Sequence, residues 1–280
     1  MTDRSEAWHG APTEVGRPDV VAIAAVAIVA FAPTVALHEA AHAVAGIAAG
    51  GHPTLMSSTD LRGDWSALTP TGFVWLGLSG SLLNWALAFL GLLAFERLDP
   101  RRSKWRLLSW LILTANGLIA AVYMTISSAV GFGDWMTILS QHPAVNILRG
   151  VASAVGLALT LAWLRLVRRT LAELVGVGPP MVVVARARRI AMVSWLTGGA
   201  LAAAAALMSP LGLGWALAIA VGSTMGTTWP MLAAARSVHR TPPRDGAEPG
   251  LIEPSWALVA AAGVMAAVFV LGFGRGFTWP

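Results

Sequence analysis

Residues 19–50 read DVVAIAAVAIVAFAPTVALHEAAHAVAGIAAG. The run holds no Lys or Arg, and its only acidic residues are Asp19 at its start and Glu39. About 20 predominantly apolar residues suffice to carry a helix across the hydrocarbon core of a bilayer. This run exceeds that length and contains Pro33, so a first crossing with a kink or break at the proline is expected. His38, Glu39 and His42 fall in its second half. An ionisable group inside a span costs about 2.5–3.5 kcal/mol on insertion scales. Three within five residues demand a partner that offsets this.

Six further apolar segments follow, at roughly 72–95, 105–130, 144–167, 190–208, 211–235 and 255–274. The expected fold is therefore all-α, a polytopic membrane helix bundle of about seven transmembrane helices. Composition agrees. The 280 residues are 56% hydrophobic and 12% charged, against about a quarter charged in a soluble domain. Mean hydropathy is +0.68.

The 18 Arg and one Lys gather in the loops between apolar segments. With the N-terminus in the cytoplasm, 16 of these residues fall inside and only Arg62, Arg149 and Arg275 outside. That asymmetry is the positive-inside pattern. The expected setting is a multi-pass protein of a bacterial plasma (inner) membrane with a cytoplasmic N-terminus, in contact with the lipid bilayer. The first 18 residues lack the basic start and small-residue cleavage site of a signal peptide, so the first span is expected to stay in the mature protein. The net charge of +5 is explained by topology, and no basic patch suited to nucleic acid is visible.

Four units are expected along the chain: a cytoplasmic tail at 1–18, a core of about four spans at 19–170, a basic linker at 171–189, and an accessory three-span bundle at 190–280. The Pro- and charge-rich stretch 240–254 reads as a second, flexible linker. Gly46/Gly50 and Gly222/Gly226 are spaced for close helix packing. Ser223, Thr224, Thr227 and Thr228 suit helix contacts or a cavity lining.

The chain has no cysteine, so a metal must be held by His, Asp or Glu. His38 and His42 are four residues apart. On a helix they share a face, one turn apart, and both imidazoles can reach one ion. Glu39 stands beside the first of them, where a carboxylate can act on a water whose pKa the metal has lowered. Zinc needs a third protein ligand. Asp134 is the favoured choice among Asp134, His142, His52, Asp60 and Asp64. It follows the third span within Gly131-Phe132-Gly133-Asp134-Trp135, on the same side of the membrane as the histidines, and the glycines let the backbone approach closely. Asn84, in the second span, can donate to a developing oxyanion or hold a substrate backbone, or form an interhelical hydrogen bond. Asn116 in the third span has the same two readings, with the structural one favoured.

Taken in order, His38-Glu39-Ala40-Ala41-His42, the Gly80-to-Asn84 element and Gly133-Asp134-Trp135 resemble the site-2 protease family of intramembrane zinc metalloproteases, over about residues 30–150. The resemblance implies Zn2+ as cofactor, His38, His42 and Asp134 as its ligands, Glu39 as catalytic base, and Asn84 in substrate or intermediate contact. The third family motif is commonly Leu-Asp-Gly, and both neighbours of Asp134 differ from it. The resemblance implies hydrolysis of a membrane protein or peptide segment. Hydrolysis of a lipid or small amphiphile, and metal binding without catalysis, stand as alternatives.

Overall fold

In the computed structural model, residues 18–210, 212–241, 243 and 252–279 are described. Residues 1–17 of the expected tail and most of the 240–254 stretch lie outside them. Helix α1 (Val20–Ala48) is capped by Asp19, whose carboxylate accepts from the Ala22 amide at 2.8 Å. A short antiparallel hairpin follows, β1 (His52–Met56) and β2 (Leu61–Asp64). Helix α2 (Pro70–Arg97) starts with Pro70 in its first turn behind the Thr69 cap. Helix α3 (Ser103–Val130) stops at Gly131, which is left-handed. The short α4 (Asp134–Leu139) leads into α5 (Val145–Val175) and α6 (Pro180–Ala206). Then come α7 (Leu213–Val221), a π-helical turn at Gly222–Gly226, α8 (Pro230–Arg236) and α9 (Trp256–Ala267), which runs on as a π-helical turn to Phe273. Strand β3 (Phe277–Thr278) pairs with β1, giving the sheet order β2-β1-β3.

Six of these helices are long and apolar enough to cross a membrane: α1, α2, α3, α5, α6, and α9 with its π turn. The chain is an all-α, multi-pass membrane bundle with one small three-stranded sheet. In lipid a helix satisfies its own backbone, which is why long apolar runs become helices there. The seventh expected segment, 211–235, is helical but interrupted. Pro230 has no N–H to continue the ladder, and the π turn widens the helix before it. Side chains take up carbonyls along this stretch: Trp195 Nε1 donates to Met225 O at 3.1 Å, and Thr228 Oγ1 to Thr224 O at 2.6 Å.

Helix α1 runs unbroken through Pro33, so a break there is not observed. Helix α3 is the most enclosed of the spans, and α5 and α9 have the fewest buried residues in their apolar stretches. Apolar side chains such as Val44, Leu90, Ile147 and Leu157 point outward, as lipid-facing residues do. The stretch expected as a basic linker, 171–189, is helix except at 176–179. Of the segment expected as an accessory bundle, α6, α8 and the π turn after α9 share the main core, while Ala216 and Ala220 of α7 pack with Ala202 and Ala206 in a smaller cluster. Phe31 of α1 packs on Gly198 of α6, and Ile23, Phe31, Ile190 and Phe269 belong to one buried cluster. The expected close packing at paired glycines holds only at Gly46, which lies under the Trp65 indole. Gly50 and Gly222 have no neighbour within 4 Å of an added Cβ, and Gly226 meets only its own helix.

Candidate metal centre

His38 and His42 project from one face of α1, and their Nε2 atoms are 3.1 Å apart. Asp134 Oδ2 lies 3.3 Å from each. The three atoms form a nearly equilateral triangle. Ligand atoms about 2.0–2.1 Å from a tetrahedral ion are about 3.3 Å apart. Two imidazoles and a carboxylate at this spacing therefore fit a shared metal ion.

The chain turns back to bring Asp134 there. After Gly131 ends α3, Ser127 Oγ donates to Phe132 O at 2.5 Å. Gly133 then takes φ 85 and ψ −165, a conformation suited to glycine. A side chain at this position would also strike the Tyr123 hydroxyl. The Asp134 amide donates to that hydroxyl at 3.4 Å.

Helix α2 supports the histidines from behind. His42 Nδ1 donates to Leu76 O at 2.5 Å, with Ser79 Oγ 3.2 Å from the same nitrogen. Because Leu76 O can only accept, Nδ1 carries the proton and Nε2 presents its lone pair to the triangle. His38 Nδ1 lies 3.1 Å from Asn84 Nδ2. Asn84 is fully buried. Between these contacts sits Gly80, where an added Cβ would collide with His42 Nε2 and the His38 ring. The bare backbone of α2 at this one residue lets the two helices meet at the imidazoles.

The triangle opens on a cavity of about 670 Å³. Glu39 lines it together with His38, His42 and Asp134, and Tyr123 lies among them. Thr59, Asp60 and Leu61 of the hairpin form another part of the wall, and Trp215, Ser223 and Thr224 from the interrupted helix another.

Of the five candidates for a third ligand, only Asp134 joins the histidines among the described residues. Asp60 lines the cavity but pairs with Arg62 at 2.8 Å. Asp64 accepts from Ser66, whose side chain and amide, the latter at 2.9 Å, hold its carboxyl below the usual range. His142 Nδ1 accepts from the Ala144 amide at 3.1 Å, and His52 is an exposed residue of β1. Asn116 takes the structural role, donating to Thr34 Oγ1 and Ile112 O, each at 2.9 Å.

Sequence reasoning missed Tyr123, Ser79 and the Leu76 carbonyl. Tyr123 is the only tyrosine of the chain and lies within a span, which was a signal available to it. A backbone carbonyl carries no such signal. No protein-family model, curated protein or solved structure matches the chain.

Proposed function

We propose that this protein is a membrane zinc metalloprotease that hydrolyses a peptide segment within or at the edge of the bilayer. The observation that carries this reading is the His38-His42-Asp134 triangle with Glu39 lining the same cavity. Two imidazoles and one carboxylate suit zinc. When bound, zinc lowers the pKa of a water molecule and polarises a carbonyl.

The chain's own groups would do the rest. His38, His42 and Asp134 would hold the ion. Glu39 would take a proton from the attacking water as its oxygen bonds to the peptide carbon. It would then deliver that proton to the amide nitrogen as the C–N bond breaks, leaving a carboxylic acid and an amine. The hairpin supports a peptide substrate. Strand β2 is an edge strand, and its first residue, Leu61, lines the cavity. An extended peptide can add to such an edge through backbone hydrogen bonds. The 16-to-3 distribution of basic residues supports a cytoplasmic N-terminus in a bacterial plasma membrane.

The test is purified, zinc-loaded protein in lipid with a panel of single-span substrates. Wild type should cleave at least one of them. Glu39→Gln should keep its zinc and lose roughly 10²–10⁴-fold in rate. Undiminished cleavage by Glu39→Gln would refute the mechanism. Glu39-dependent lipid turnover without peptide cleavage would move the assignment to a lipid hydrolase.

A further inference from the structure

Asn84 is buried in α2 and faces the back of His38, on the side away from the ligand triangle. As placed, its Nδ2 lies 3.1 Å from His38 Nδ1, and its Oδ1 has no hydrogen-bond partner. A donor amide at Nδ1 would force the His38 proton onto Nε2. That nitrogen faces His42 Nε2 and Asp134 Oδ2 and would then have no lone pair for a metal. Rotating the amide by 180° exchanges two nearly isosteric atoms. It sets Oδ1 against a protonated Nδ1, gives the orphaned oxygen its partner and frees the Nε2 lone pair. The result repeats the arrangement at His42, whose Nδ1 proton goes to Leu76 O. Both imidazoles then point Nδ1–H at α2 and Nε2 at the triangle.

We infer that Asn84 is a positioning residue, which accepts the His38 Nδ1 proton through Oδ1 and so fixes the tautomer that can bind metal. The inference rests on the metal reading of the triangle and not on peptide cleavage. It gives Asn84 a different task from holding substrate or an oxyanion, for which the amide must donate. Partners of this kind typically govern metal affinity by 10–100-fold.

The two roles separate with Asn84→Asp and Asn84→Ala in the full-length protein in detergent. Asp keeps an acceptor and loses the donor; Ala loses both. Zn2+ affinity is measured by competition with a chelator, and the visible d–d bands are recorded after loading with Co2+. Asn84→Asp should bind Zn2+ within about threefold of wild type, with the same Co2+ bands and retained turnover. Asn84→Ala should lose roughly 10–100-fold in affinity, with altered Co2+ bands. Wild-type Zn2+ affinity in Asn84→Ala would overturn the inference. If Asn84→Ala does not fold, Asn84→Asp decides alone: intact metal with turnover lost means that the donor is needed, and the inference falls. Loss of metal in Asn84→Ala from a protein that cleaves no peptide would uphold this inference while the protease reading fails. Wild-type protein that binds neither metal would overturn both.

Discussion

At the scale of single residues, the centre depends on what is missing as much as on what is present. Gly80 is the clearest case. A Cβ at this position would collide with His42 Nε2 and the His38 ring. A methyl group there must displace His38, His42 or the helix itself. Gly80→Ala should therefore lower Zn2+ affinity roughly tenfold or more, the range seen when ligand orientation is disturbed. The same chelator competition would read this, and unchanged affinity would show that the helices can part without loss. The ligand pair was legible from the four-residue spacing alone, because helical geometry makes that spacing a shared face. Gly80's role was not legible. It comes from the approach of a second helix, and a glycine in a span has several ordinary explanations.

At the scale of elements, the bundle is fastened at the end opposite the candidate centre. Arg106 near the start of α3 meets Glu173 near the end of α5, with N–O 3.6 Å. Arg169 bridges Glu173 at 3.5 Å and Glu96 at the end of α2 at 3.7 Å. The Arg106 guanidinium also lies 4.3 Å from the centre of the Phe95 ring. Removing the Glu173 carboxylate takes a largely buried counter-charge from both Arg106 and Arg169. Glu173→Gln should cost about 2–3 kcal/mol, less than the 3–5 kcal/mol of a fully buried pair, because Arg169 is partly exposed. Denaturant unfolding in detergent measures it, and Zn2+ affinity should stay at the wild-type value. A neutral result would show that the pair is solvated. The positions of these charges in loops and helix ends followed from the apolar runs. Their pairing did not, since it joins helices distant in sequence.

At the scale of the whole molecule, the helices after residue 178 complete the core that holds α1. Phe31 rests on Gly198, Ile252 O accepts from the Asp19 amide at 3.1 Å, and the cavity wall includes Trp215 and Ser223. A fragment of residues 1–178 carries all three candidate ligands yet leaves that face of α1 bare. Produced alone, it should aggregate or bind Zn2+ at least tenfold more weakly than the full chain. Producing it together with residues 179–280 should restore binding. Full-strength binding by the lone fragment would mean that the two parts are independent.

The sequence by itself determined the solvent and therefore the secondary structure: apolar runs of about 20 residues or more in lipid form helices, because only a helix satisfies its backbone within a single segment. It also determined that His38, Glu39 and His42 share one stretch of helix and that Asp134 could lie on their side. Only the tertiary structure decided that Asp134, and no other candidate among the described residues, completes the triangle. Only the tertiary structure showed that α2 supplies the support at Leu76, Gly80 and Asn84, and that α6, α8 and the π turn after α9 join the main core. The reason is physical. Lipid tails are as apolar as the bundle interior, so a span such as α1 is apolar on every side and its pattern does not reveal which face turns inward. That choice is made by close packing between helices, at positions such as Gly80 and Gly198, and it places the imidazoles.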